Sequence, residues 1–313
     1  MQRPRRSCLA VPGSNPRMLE KAQGLSADQV FLDLEDAVAP LAKAGARDNI
    51  VAALNTGDWR GKTRVVRVND WTTAWTVHDV LAIVGGAGAN LDCVMLPKVQ
   101  SAEHIVALDL LLTQLERTYG LPVGRIGIEA QIENARGLVN VDAIAAASPR
   151  LETVIFGPAD FMASINMRSL VVGEQPPGYD TGDAYHYILM RILMAARAND
   201  LQAIDGPYLQ VRDTEAFRRV AARSAALGFD GKWALHPDQI AAANEEYTPP
   251  QADYDRAEHI LDAYAFATSD EGGRRGAVML GDEMIDEASR KMALVIATKG
   301  RAAGLTRTAT AGA

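Results

Sequence analysis

Short apolar runs alternate along this chain with longer segments whose apolar residues recur at helical spacing. Residues 9–12, 30–34, 64–68 and 93–96 read as strands, and residues 17–25, 43–54, 76–84 and 102–119 as the helices that follow them. The alternation continues through strands at 126–132, 153–156, 201–204 and 232–235, with helices at 135–147, 184–199 and 213–227. Eight such units within about 240 residues predict a closed (β/α)8 TIM barrel rather than an open sheet. Residues 166–183, rich in Gly and Pro, read as an irregular excursion. Beyond Pro249 and Pro250 the pattern changes to a helix at 253–266, a charged glycine-containing loop and a helix at 284–299. The chain therefore divides into a barrel over 1–250 and a C-terminal helical lid extension over 251–313, joined flexibly enough to move.

In a barrel of this kind the chemistry gathers where strands end. The residues just past the apolar runs are polar in a chemically useful way. Asn15 follows the first strand, Asp33, Glu35 and Asp36 the second, and Arg67 with Asn69 and Asp70 the third. Lys98, Glu133, Asp160, Asp205 and His236 follow later strands. Glu133 and Asp160 end neighbouring strands, and two carboxylates on rigid elements suit a hard ion such as Mg²⁺, whose other positions go to water and substrate. The same two residues also fit as a helix cap and a turn residue. His236, directly after a strand and before Pro237, faces a ligand in this reading, whereas His78, His104, His186 and His259 fall inside helices. The glycine cluster at 85–88 lies between a helix and the next strand, the wrong context for a phosphate loop, and reads as a helix end.

Composition narrows the classes. At 313 residues and 48% hydrophobic, the chain can bury a large core. A net charge of −7 without a basic, aromatic-interleaved run excludes a nucleic-acid partner. No apolar run approaches the roughly 20 residues of a membrane span, and MQRPRRS leads into a strand without a signal-peptide core. Cys8 and Cys93 are too few for a disulfide framework or a zinc site, and the cytoplasm is the expected setting.

The segments LAVPGSNPRMLEKA, VFLDLEDAVAPLAKAGARDNIVAALN, KTRVVRVN, LPKV, IENARG, FGPADF, AIDGPY, LGFDGKWALHPDQI and MIDEASRKMA occur in order from residue 6 to about residue 295. They resemble the citrate lyase β-subunit-like branch of the HpcH/HpaI aldolase superfamily, and within it the malyl-CoA lyases. The resemblance implies a (β/α)8 barrel whose C-terminal extension covers a neighbouring subunit's site, in a homotrimer or hexamer. It makes Glu133 and Asp160 the ligands of Mg²⁺ or Mn²⁺, Arg67 the arginine at the thioester end of the substrate, and Glu35 and Asp36 the acidic pair that orders water near the metal. Ala10, Asn15 and Lys21 match positions that meet coenzyme A, and Ala159, Leu235 and His236 match further substrate contacts. Asp286 matches the lid aspartate that acts as acid/base across a subunit boundary. The chain departs from the pattern at Ala10 and Asn15, where an aromatic or arginine is common, at Pro158, and in residues 166–183, which replace a longer Trp-containing loop.

The implied reaction is reversible cleavage of (S)-malyl-CoA, or a β-methyl relative, to glyoxylate and an acyl-CoA. Its partners are then an acyl-CoA and a 2-oxoacid. The alternatives are cleavage of citramalyl-CoA, from which one methyl separates it, hydrolysis of the malyl-CoA thioester, and a carrier-dependent citrate lyase β-like subunit without activity of its own.

Overall fold

In the computed structural model of the protein, residues 3–308 are described. The first compact unit extends to Tyr247. It contains strands β1 (Ser7–Pro12), β2 (Gln29–Asp33), β3 (Thr63–Arg67), β4 (Cys93–Leu96), β5 (Gly127–Ile132), β6 (Leu151–Phe156), β7 (Gln202–Asp205) and β8 (Gly231–Ala234). All pair in parallel with their neighbours, and β8 returns to β1, closing the eight-stranded barrel that the alternating pattern predicts. Around it run α1 (Pro16–Gln23), α2 (Lys43–Thr56), α3 (Thr76–Ala87), α4 (Ala102–Thr118), α5 (Ala135–Val139), α6 (Val141–Ala145), α7 (Pro158–Ser164), α8 (His186–Ala198), α9 (Thr214–Leu227) and α10 (Asp238–Glu246).

Strand alternation sorts the side chains. Val30, Leu32, Val66, Val94, Ile128 and Val154 face outward into the layer shared with the helices. Phe31, Val65, Met95, Ile155, Ile204 and Trp233 fill the barrel interior. At its N-terminal end a buried Arg5 closes the floor, donating to Glu129 and Gln29 at 2.9 Å each, to Gln202 at 2.6 Å and to Glu152 at 2.7 Å.

Three elements differ from the sequence pattern for identifiable reasons. The helix expected over 135–147 breaks at Asn140, whose amide donates to the Gln100 carbonyl at 2.8 Å. The first of the two pieces also presses so close to the β4 exit loop that a Cβ at Gly137 would lie 2.3 Å from the Val99 oxygen. A short helix, α7, begins immediately after β6 with Pro158 at its first position, where a missing N–H costs nothing. Asp160 thus belongs to a helical first turn. The third is α10, which follows β8 without a periodic signal strong enough to mark it. The glycines at 85–88 do close α3 and the turn after it: Gly85 meets Tyr119 and Gly86 meets Val51, where a Cβ would come within 2.7 Å.

The second unit, from Thr248, contains α11 (Gln251–Thr268), an antiparallel hairpin of β9 (Val278–Leu280) and β10 (Glu283–Ile285), and α12 (Glu287–Ala302). The hairpin was not visible in the sequence, and Met284 lies in it rather than in the helix. The helix starts later because Asp286 caps it, accepting from the Ala288 and Ser289 N–H groups at 2.9 and 3.0 Å while Ser289 Oγ accepts from the Asp286 N–H at 3.3 Å. Small residues Ala257, Ala293 and Ala297 bring α11 and α12 together. Among the described residues no helix is long and apolar enough to cross a membrane.

Candidate functional site

The C-terminal ends of β2 through β6 assemble a cluster of carboxylates around two cations. Arg67, the last residue of β3, is buried with its guanidinium over the Trp233 and Phe31 rings, at 5.3 and 5.8 Å from their centroids. Asp33, the last residue of β2, clamps it bidentately, with Arg67 Nε to Oδ1 at 2.7 Å and Nη2 to Oδ2 at 2.6 Å. The Glu35 and Ala37 N–H groups complete Asp33's partners at 2.9 and 3.1 Å. Burial pushes the Asp33 carboxyl up, but the Arg67 guanidinium and these donors outweigh it and hold the group below its ordinary value.

Glu35 is buried beside the same arginine, 3.0 Å from Nη1, and pairs with the Lys98 ammonium. Asp36, exposed, lies 3.5 Å from that ammonium. Lys98 holds a left-handed backbone, φ 53°, uncommon for a side-chain-bearing residue. This turn aims its N–H at Glu133 Oε1, 2.6 Å away. Glu133 Oε2 accepts from Gln131 Nε2 at 2.6 Å. Burial first, then the negative charge of Glu35, pushes the Glu133 carboxyl well above its ordinary value, against the pull of Arg67. Asp160, half-buried in the first turn of α7, adds to the same push. The Asp160 carboxylate enters no hydrogen bond or ion pair among the described residues.

This donor set fits a hard divalent cation. Each Glu133 oxygen has one neutral donor and a remaining lone pair, and Asp160 is uncommitted. Two carboxylates are the number that Mg²⁺ usually takes from a protein, with water and substrate in its other positions.

The other anticipated residues are spread over several elements. Ala10 of β1 is half-buried against the interior cluster. Asn15 caps α1, its side chain accepting from the Met18 N–H at 3.2 Å, and Lys21 is exposed in the last turn of that helix. Ala159 is exposed beside Asp160. Leu235 and His236 follow β8, with the Leu235 N–H donating to Gln239 at 2.8 Å and His236 Nδ1 accepting from the Asp238 N–H at 3.2 Å. Three strand-end residues carry structural hydrogen bonds, Asn69 and Asp70 beside the pocket that Glu35, Asp36 and Lys98 line and Asp205 away from it. Asp205 is buried with Lys232 at 2.7 Å and Ser224 at 2.8 Å, Asn69 bonds Asp79 at 2.6 Å, and Asp70 accepts from the Thr72 N–H at 2.8 Å. Asp286 belongs to the second unit, where its capping bonds hold its carboxyl below the usual range.

The sequence matches the HpcH/HpaI aldolase/citrate lyase family over residues 6–237. The chain belongs to that family. An L-malyl-CoA/beta-methylmalyl-CoA lyase of Cereibacter sphaeroides is 41% identical over 302 residues, 94% of each chain. A (3S)-malyl-CoA thioesterase of the same species is 36% identical, over 89% of this chain and 88% of the relative. The CitE protein of Mycobacterium tuberculosis, solved in complex with magnesium, acetoacetate and coenzyme A, superposes with a TM-score of 0.72 at 28% identity, over 94% of this chain and 97% of that one.

Within this HpcH/HpaI aldolase the sequence pattern pointed to both candidate metal carboxylates and to Arg67, but missed what holds them. Asp33 was noticed without its partner, Lys98 without its backbone role, and Gln131 and Gly157 not at all. A signal for Gln131 was present: Glu129 and Gln131 in β5 and Glu133 directly after it fall at every second position, and the strand pair face the barrel interior.

Proposed function

We propose that this chain is a Mg²⁺-dependent carbon–carbon lyase that reversibly cleaves (S)-malyl-CoA, or β-methylmalyl-CoA, to glyoxylate and acetyl-CoA or propionyl-CoA. The observation that carries this reading is the 41% identity, over 94% of both chains, to a relative named for that activity. A site with two available carboxylates beside a clamped, buried arginine supports it chemically.

Glu133 and Asp160 would hold the ion, and when bound it supplies a Lewis acid for the hydroxyl and carboxylate at the malyl end. Transfer of the hydroxyl proton to a water held by Glu35 and Asp36 turns that oxygen into the aldehyde oxygen of glyoxylate as the carbon–carbon pair moves onto the thioester as an enolate. Arg67 presents the positive charge that the enolate oxygen needs, already oriented by Asp33 and costing no reorganisation. Asp286 delivers the proton to the enolate carbon. In this reading it comes from a neighbouring subunit of a homotrimer or hexamer, with residues 251–313 as the lid that excludes water. Glu35 and Asp36 order water at the mouth. Ala10, Asn15 and Lys21 meet coenzyme A, and Ala159, Leu235 and His236 the acyl end. Two buried, free cysteines accord with a cytoplasmic setting.

The test is incubation with (S)-malyl-CoA and Mg²⁺, with and without EDTA, following glyoxylate and free thiol separately. Glyoxylate without thiol is expected. Thiol and malate without glyoxylate would instead establish the thioesterase reading, which the 36% identical relative favours. Size measurement in solution tests the trimer or hexamer.

A further inference from the structure

Gln131 is a buried amide, 3% exposed, on the inward face of β5, in register with Ile155 of β6 and sharing the barrel interior with Phe31, Val65, Met95 and Trp233. Its Oε1 is buried and, among the described residues, has no hydrogen-bond partner. An amide in such a place costs stability unless another interaction requires it. The requirement is visible at its other end, where Nε2 donates to Glu133 Oε2 at 2.6 Å. Reversal of the amide would set Oε1 against that carboxylate oxygen, so one orientation is enforced and Oε1 is left alone. Across the strand pair, a Cβ at Gly157 would lie 2.5 Å from Glu133 Cβ, 2.6 Å from Oε2 and 2.9 Å from Gln131 Nε2. The absence of a side chain at residue 157 is what leaves room for the pair.

We propose that Gln131 is a positioning residue for the metal-binding carboxylate: its amide on Oε2 and the Lys98 N–H on Oε1 fix the plane of Glu133, and Gly157 makes space for that arrangement. The inference rests on the reading of Glu133 as a metal ligand. Neither donor carries a charge to the carboxylate, so both orient it without neutralising it and leave the charge for the cation.

The experiment is Mg²⁺ titration of the purified full chain by calorimetry, repeated with Mn²⁺ by electron paramagnetic resonance. Gln131→Met keeps the volume and removes the donor. It is expected to weaken metal binding about 10- to 100-fold, the range found for outer partners of metal ligands, while the metal-free protein keeps its unfolding temperature within a few degrees. Turnover should recover toward the parent value as Mg²⁺ is raised, which a merely structural defect would not allow. Gly157→Ala should weaken binding similarly, and the double variant should fall well short of the product of the two losses, because both disturb one carboxylate. Gln131→Asn, whose amide is withdrawn by one methylene, decides the matter if Gln131→Met does not fold. Glu133→Gln is the control and should abolish binding. If it does so while Gln131→Met and Gln131→Asn bind within twofold of the parent, the inference fails and the ligand reading stands. Unchanged binding in Glu133→Gln overturns both.

Discussion

Replacing Arg67 with Met tests whether the buried clamp at the barrel mouth is as stabilising as its geometry implies. The substitution strands Asp33, 1% exposed, and removes the 3.0 Å contact to Glu35. Loss of one partner of a buried ion pair costs about 3–5 kcal/mol. Asp33 keeps two backbone N–H donors and Glu35 keeps Lys98, which argues for the lower end. Loss of the stacking over Phe31 and Trp233 adds about 0.5–1 kcal/mol. The expected destabilisation is therefore roughly 3–4 kcal/mol, or a fall in Tm of about 6–15 °C in a domain of this size. Urea unfolding followed by tryptophan fluorescence is the appropriate assay. Trp59, Trp71, Trp75 and Trp233 all lie in the barrel unit, so the signal is free of the second unit. The folded-state value of Asp33 is depressed, so its contribution is full above its unfolded value of about 3.9 and fades as pH falls through the lower, folded one. The gap between parent and variant should therefore narrow under acid conditions. Asp33→Asn in the Arg67→Met background removes the stranded charge and should restore at least about 1 kcal/mol. A loss under about 1 kcal/mol at neutral pH, or strictly additive effects, would refute the reasoning.

Glu133 carries the opposite sign. Its folded value is raised by burial and by Glu35, so its ionisation costs stability progressively as pH rises from its unfolded value of about 4.3 toward the folded one. Glu133→Gln should gain metal-free stability relative to the parent as pH rises above about 4.3, while losing Mg²⁺, and Mg²⁺ uptake by the parent should release protons below the raised value. Calorimetry in buffers of different ionisation enthalpy reads that release, and identical heats there would contradict it. At Lys98, Gly accepts φ 53° and Val does not. Both lose the ammonium, so Lys98→Val should bind Mg²⁺ more weakly than Lys98→Gly, and equal affinities would dismiss the backbone role. Asp286→Asn keeps a competent helix cap and removes the acid, so turnover should collapse with helix content and Mg²⁺ affinity retained. Full activity in that variant would end its acid/base assignment.

The barrel was legible because each strand is an apolar run set off from an amphipathic helix, and because loops between them are short apart from the excursion at 166–183. Elements set by tertiary contacts were not. Asn140 interrupts a periodic helix through a bond to Gln100, 40 residues earlier, and α7 is too short to show a period at all. At the site, rigid strand ends exposed Arg67 and Glu133 to a reading by position. The same logic over-reached at Asp205, which faces Lys232 and Ser224 outside the barrel interior, because a strand's last residue has two faces and the neighbouring sequence does not say which is inward. Partners such as Asp33 with Arg67, or Lys98 with Glu133, join residues 34 and 35 positions apart, and only the closed sheet brings them together.

Strand β5 shows how one fold separates stability from chemistry. Glu129 on its inward face and Glu133, four residues on at its exit, are both buried, and burial pushes both carboxyls up. Glu129, toward the floor, receives the Arg5 guanidinium at 2.9 Å and the Gln29 amide at 3.1 Å, so its charge is matched within the protein. Glu133, at the mouth, receives only neutral N–H groups directly. Around it Asp33, Glu35, Asp36 and Asp160 share the cations Arg67 and Lys98, already engaged with the first three, and Lys43, whose ammonium is taken up by the Leu34 and Glu35 carbonyls. The mouth is therefore left with an excess of negative charge that the protein's own residues do not balance, in a region where burial makes that excess costly. A dication relieves this cost, whereas at the floor it would have to displace an arginine. The end of the barrel proposed to hold the metal is thus the end where internal pairing was left incomplete.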